Sequence, residues 1–317
     1  MAGPGEPLMS AVAIVGSGLI GRAWAVVFAR AGSEVRLTDT HTQTLEAAPG
    51  LIRQGLEDLA EHGLVDDPTT AAARVRIAGS LADAVDGVEL VQENGPETLA
   101  TKRLLFAELD RLAAPDTILA SSSSAIVASL YTEDLPGRAR CLVAHPVNPP
   151  HLVPIVELCG APWTDPATVE RAKAIYEAVE QVPIVVHKER EGFVLNRLQG
   201  ALLAEAFRLV GEGVVSPQDL DKTIKDGLGL RWSFLGPFET IELNAPGGIP
   251  DYCARYTGFY RRVSAEPPSP TVWDSENVAR IMLAWGDTPG QDALAQRSAW
   301  RDRRLAALKA HKRDQPA

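Results

Sequence analysis

Four positions in the 317-residue chain set polar side chains against apolar surroundings. The run ASSSSAIVAS (Ala120–Ser129) offers hydroxyls directly after an apolar stretch. His145 follows RCLV and Ala144, Glu157 lies within LVPIVEL, and Asn196 interrupts the apolar segment GFVLNRLQGALLAEAF. A buried acid is costly unless paired, and a buried amide requires hydrogen-bond partners. Each position has a structural reading of its own, the serines above all as a helix cap. Together they supply a hydroxyl, a base, an acid to orient that base and a polar anchor. A histidine steadied by a carboxylate can take the proton of an alcohol as hydride leaves the carbon.

Two histidines compete for the part of base. The stretch AHPVNPPHLVPIVEL (Ala144–Leu158) contains both, with four prolines that exclude a helix and limit how the chain can wander. His145 comes straight off a strand end. His151 sits mid-loop among prolines and is read as structural or pocket-lining.

A partner for that chemistry is written near the N-terminus. In VAIVGSGLIGRAWAVVFARAGSEVRLTD, Gly16, Gly18 and Gly21 follow the first strand and open a helix that ends at Gly32. Gly16 turns tightly, Gly18 lets the backbone approach a pyrophosphate, and Gly21 lets helix and strand pack closely. The helix N-terminus offers N–H groups and partial positive charge to phosphates. Asp39 ends the second strand, where an acid accepts from the adenosine ribose diol and repels a 2′-phosphate. The expected cofactor is NAD, and no metal site is expected.

These residues need a scaffold of alternating elements. Strands are expected at 11–15, 35–38, 75–78, 90–92, 117–120, 140–143, 155–158 and 184–186, with helical patterns between many of them. That alternation predicts α/β architecture, a Rossmann-type doubly wound, mostly parallel sheet. Ser80–Asp83 reads as a capping box and Asp165-Pro166 as a helix start. Past Gly192 strand signals are scarce, and GFVLNRLQGALLAEAF predicts a helix buried between others. An all-α C-terminal domain is expected. The boundary falls in Lys188–Glu191, giving residues 1–189 for the dinucleotide domain and 190–317 for a helical substrate and dimerisation domain.

Composition restricts the partners. A net charge of −10 argues against nucleic acid. No apolar stretch approaches the ~20 residues of a membrane span, and MAGPGEPLMS lacks a secretory leader. The three cysteines (Cys141, Cys159, Cys253) form no C-x-x-C pair, which suits a reducing compartment. A cytoplasmic protein is expected.

The motifs VAIVGSGLIGRAWA, ETLATK, the serine run, AHPVNPP, VELC, GFVLNRLQ, EGVVSPQDLD and GLGLRWSFLGPFET run through almost the whole chain. With them the chain resembles the 3-hydroxyacyl-CoA dehydrogenase superfamily, most closely its lambda-crystallin / L-gulonate 3-dehydrogenase branch. The resemblance implies that His145 is the general base and that Glu157, twelve residues on, orients it. It implies that Ser124, 21 residues before the histidine, bonds the substrate oxygen and that Asn196 completes the site. Leu19, Ile20, Asp39, Glu97 and Lys102 match cofactor-contacting positions. Ser123 stands where a threonine is common. The family's usual form implies a homodimer joined through the helical domain.

The substrate is expected to be a small 3-hydroxy acid, oxidised at its 3-hydroxyl. A coenzyme A thioester is the nearest alternative and a carnitine-like hydroxy acid a further one; a non-catalytic NAD-binding protein is a different class that the intact set of four argues against. The span His41–Arg74 carries six acids against Arg53 and Arg74, a surface that would repel a polyphosphate. Arg231, in GLGLRWSFLGP, could grip a free carboxylate with two parallel hydrogen bonds. A salt bridge to Asp226 or Glu239 is its structural alternative.

Overall fold

The computed structural model describes residues 11–315, so the N-terminal MAGPGEPLMS lies outside the described residues. The chain divides into two compact units: the described residues through Asn196 together with those from Asp292 onward, and Arg197–Gln291.

The first unit is built on one eight-stranded sheet. Its strands are β1 (Val12–Val15), β2 (Val35–Thr38), β3 (Val75–Ile77), β4 (Leu90–Glu93), β5 (Ile118–Ser121), β6 (Cys141–Pro146), β7 (Ile155–Gly160) and β8 (Val182–Val185). They lie in the order β3-β2-β1-β4-β5-β6-β7-β8. All neighbours are parallel except β6 and β7. All eight expected strands are present, and the doubly wound, mostly parallel expectation holds, with β6–β7 the one antiparallel pair.

Burial on both faces explains the apolar strands. Val12 and Ile14 join a core with Trp24, Phe28 and Leu37, while Ala13 and Val15 point into a second core with Phe106 and Leu119. The helix Leu19–Arg30 follows β1 so closely that a Cβ at Gly21 would stand 1.8 Å from the Gly16 carbonyl oxygen. Gly16 itself has φ 97, open only to glycine in practice. Ser80 caps its helix through the Asp83 N–H, but the Asp83 carboxylate turns to Gly79 N instead of completing the box.

Two expectations are corrected. The helix Gln291–Arg313 was placed with the C-terminal domain, yet from Asp292 onward it belongs to the first unit. Its Ala306 and Leu305 pack on the first core, Lys309 Nζ donates to the His151 carbonyl at 3.2 Å and Arg313 to that of Gly63. A return of this kind depends on long-range packing, to which composition is blind. The helix Leu195–Gly211, apolar nearly all round and expected to lie buried between others, carries no buried residue, and Leu198 is 65% exposed.

The second unit is helical. Pro217–Lys222 runs into a π-helical turn, Thr223–Leu228, and then Gly229–Trp232; Pro237–Leu243, Gly248–Ser264 and Ser275–Trp285 follow. Within it Asn277 ties the segment together by donating to the carbonyls of Val272 and Phe207.

Candidate active site

His145 and Glu157 are cross-strand partners in the β6–β7 register. Both are buried, and Nδ1 lies 2.8 Å from Oε2. With the carboxylate accepting from Nδ1–H, the lone pair of the imidazole is left on Nε2. No described residue bonds Nε2. The other oxygen of Glu157 accepts the N–H groups of Val194 (2.9 Å) and Leu195 (3.0 Å). Burial alone would raise this carboxyl, but the His145 bond and those two N–H groups hold it below the usual carboxylate range.

One residue past Leu195, the Asn196 side chain donates to the Ser124 carbonyl at 2.9 Å. The segment 194–196 thus joins all four expected residues: its backbone grips Glu157, which holds His145, and its amide grips the serine loop. β5 and β6 are adjacent and parallel, so both that loop and His145 leave their strands at the same edge of the sheet.

The four serines have four different duties. Ser121 donates to Glu93 at 2.7 Å. Ser122 accepts from Trp24 and Gln92 and donates to Asn94 at 2.7 Å. Ser123 donates to Glu97 at 2.6 Å and accepts from the Ile126 N–H. Ser124 alone among them keeps an exposed hydroxyl with no described partner, although its N–H bonds Glu97. The threonine-to-serine departure at Ser123 costs nothing visible, since a hydroxyl is all the two bonds require.

The glycine loop borders a groove of about 640 Å³ lined by Gly16, Gly18, Asp39, Asn94, Gly95 and Glu108, among others. A Cβ at Gly18 would meet nothing within 4 Å, so backbone faces free space at the point where a pyrophosphate is expected. Asp39 stands at the end of β2, with Ser17 N and Oγ at 2.6 and 2.8 Å from one oxygen and His41 N at 2.9 Å from the other. Burial works against ionisation here, yet those donors keep the carboxyl below its ordinary value. Leu19 opens the helix exposed, and Ile20 packs toward the core. Among the described residues no lysine or arginine lines this groove, and His41 Nδ1 lies 3.3 Å from Asp39. The residues fit NAD.

Sequence comparison agrees. The NAD-binding domain of 3-hydroxyacyl-CoA dehydrogenase matches residues 11–190, and that family's C-terminal domain matches 192–275. The chain belongs to the 3-hydroxyacyl-CoA dehydrogenase family. Lambda-crystallin of Oryctolagus cuniculus is 42% identical over 96% of this chain and 98% of its own length. The L-carnitine dehydrogenase of Pseudomonas putida is 31% identical over 93% of this chain and 92% of its own. Among solved structures, an NAD+-dependent dismutase, 5-formyl-3-hydroxy-2-methylpyridine 4-carboxylic acid 5-dehydrogenase, aligns with TM-score 0.82. It is 28% identical, over 96% of this chain and 99% of that one. The protein is an NAD-dependent dehydrogenase acting on a CH–OH group.

Two residues expected to touch the cofactor, Lys102 and Glu97, bond protein groups in this structure. Lys102 is 1% exposed, and its ammonium lies 2.9 and 2.7 Å from the two oxygens of Glu93. Glu93 also accepts from Gly95 N at 2.6 Å, so the pair sits beneath the groove and braces its Gly95 wall. Glu97 directs Oε1 at the N–H groups of Ser124, Ala125 and Ile126 and at the Ser123 hydroxyl. It serves the serine loop. Sequence reasoning missed Glu93, Ser17 and Asn94; Glu93 carried a signal like that of Glu157, an acid within an apolar strand.

Arg231 is exposed in the second unit and makes no ion pair among the described residues. Asp226 pairs with Lys225 and Glu239 caps Gly236 N, which removes both structural partners considered for it. His151 makes no described hydrogen bond to Ser124, His145, Glu157 or Asn196, and its buried Nδ1 has no partner among the described residues. It lines a cavity of about 560 Å³ with His62 and Arg303, and burial, with Arg30, Lys309 and Arg301 nearby, pushes its imidazole down to about 4.

Proposed function

We propose that the enzyme oxidises the 3-hydroxyl of a small 3-hydroxy acid to the 3-oxo acid, in the manner of an L-gulonate 3-dehydrogenase. The single observation that carries this reading is the His145–Glu157 pair, its free Nε2 set at the same sheet edge as the free hydroxyl of Ser124. His145 Nε2 accepts the proton of the substrate alcohol. Glu157 stabilises the resulting imidazolium and keeps Nδ1–H directed to itself. Ser124 donates a hydrogen bond to the substrate oxygen, on a loop held by Asn196 and Glu97. NAD+, when bound, accepts the hydride.

A free acid is favoured over a coenzyme A thioester by the acidic face of the helix Thr42–Ala60 and its continuation, where Glu46, Glu57, Asp58 and Glu61 are solvated. Lambda-crystallin relatives at 42% and 45% identity support the same branch. Arg231, unpaired, is the candidate for the substrate carboxylate: Arg231→Met should raise KM for the acid, and an unchanged KM would remove it. The working form is a homodimer. Support comes from apolar side chains left uncovered in the second unit, among them Phe238 (72%), Leu243 (73%) and Leu283 (87%). Among the described residues no helix is long and apolar enough to cross a membrane, and the three cysteines are free, which suits the cytoplasm.

The deciding assay is NAD+ reduction with a panel of 3-hydroxy acids, L-gulonate and carnitine included, beside 3-hydroxybutyryl-CoA. Preference for free hydroxy acids is expected. A kcat/KM higher for the thioester would replace this reading with the acyl-CoA one.

A further inference from the structure

Phe193 occupies a conformation that its residue type resists. Gly192 and Phe193 are consecutive left-handed residues, with φ 76 and 48, just before the helix Leu195–Gly211. Glycine adopts such a φ freely, whereas a bulky side chain is strained there. The strain has two local returns. The turn presents the next two N–H groups, Val194 and Leu195, to Glu157 Oε1. It also buries the Phe193 ring to 1% exposure, with its centroid 5.6 Å from that of His145 and the planes inclined by 34°.

We propose that Phe193 is a positioning residue for the base. Its ring confines the rotation of the imidazole, so that Nδ1 stays on Glu157 and Nε2 stays outward. Its bulk keeps water from Glu157, which is fully buried, and water there would screen the pair. The ring also belongs to the second core, with Val143 and Cys159, so coupling to Glu157 is what separates positioning from packing. The proposal rests on the reading of His145 as the base.

The test is a series at this position in the full-length enzyme. Phe193→Gly keeps the backbone turn and removes the ring; Phe193→Leu keeps apolar volume and removes the flat face. A loss of geometry at a reacting group can cost up to about 100-fold in rate, so kcat should fall roughly 10- to 100-fold for glycine and less for leucine. KM for the hydroxy acid and Kd for NADH, followed by fluorescence titration, should stay within about twofold, since neither ligand is held by the ring. Because Phe193 acts through the His145–Glu157 pair, each variant combined with Glu157→Gln should be no slower than Glu157→Gln alone. Unchanged kcat in both single variants, or losses that multiply in the double variants, would overturn the proposal. If Phe193→Gly fails to fold, the leucine variant and its double with Glu157→Gln decide the matter alone. His145→Gln runs beside them: turnover retained there would sink the base assignment itself, an outcome separate from any result at Phe193.

Discussion

His145 and Glu157 face each other across the β6–β7 pair, twelve residues apart in the chain and 2.8 Å apart at Nδ1 and Oε2. This is the one antiparallel pair in the sheet, and it is what makes the contact possible. A parallel neighbour needs a long crossover, whereas an antiparallel return puts a base and an acid side by side within one hairpin. The same return places Glu157 where the turn before the helix Leu195–Gly211 can bond its second oxygen. One carboxylate therefore ties the catalytic strand to the segment that carries Asn196.

The serine loop separates stability from turnover residue by residue. Ser122→Ala would strand the Trp24 and Gln92 donors inside the fold and should destabilise by about 1–3 kcal/mol in chemical denaturation. Ser124→Ala removes a hydroxyl with no protein partner. It should leave stability within about 0.5 kcal/mol while lowering kcat/KM. Equal melting temperatures for the two variants would contradict these assignments.

Lys102 and Glu93 predict a different signature from that of a cofactor ligand. Breaking a buried ion pair leaves an uncompensated charge, so Lys102→Met should cost about 3–5 kcal/mol of stability. The double variant Lys102→Met with Glu93→Leu should recover only part of it, because Glu93 also accepts from Gly95 N and Ser121 Oγ. A direct NAD contact would instead raise the NADH Kd in Lys102→Met with little change in denaturation midpoint.

How legible was this in the sequence? His145, Glu157 and Asn196 stood out because each is polar within an apolar element, and folding brought them together through segment 194–196. The serine run announced a loop but not which hydroxyl was free, since that depends on Glu93, Glu97, Gln92 and Asn94 arriving from the neighbouring strand and its loop. Lys102 looked available for the same reason: its partner lies nine residues away on β4, and no spacing rule for helix pairs covers a strand-to-helix contact. The eight strands were readable from apolar runs bounded by turn residues. The return of the last helix to the first unit was not, because Ala306 and Leu305 meet their partners only in the folded chain.

Asp39 should decide between cofactors. Its carboxylate is ionised and held by Ser17 and His41. Asp39→Asn removes the charge, and loss of a charge-assisted bond to the ribose should weaken NADH binding by about 10- to 100-fold. The same change should relax discrimination against NADPH. Titration of both cofactors measures it, and an unaltered NADH/NADPH ratio would count against the ribose role.

His151 should give the protein an acid-sensitive window. Burial lowers its imidazole from 6.5 to about 4, so the unfolded chain takes up a proton before the folded one does. Its contribution is fully present above pH 6.5 and declines as pH falls toward 4, by up to about 3 kcal/mol. His151→Gln cannot titrate and should flatten the stability profile in that interval. Parallel profiles for wild type and variant would show that this histidine is not the source.

The most direct test of the account is turnover by His145→Gln and His151→Gln on the best hydroxy acid, with NADH binding measured on the same samples. His145→Gln should abolish turnover with NADH still bound, and His151→Gln should retain substantial turnover near neutral pH. Turnover surviving in His145→Gln while His151→Gln is inactive would contradict the assignment of the base.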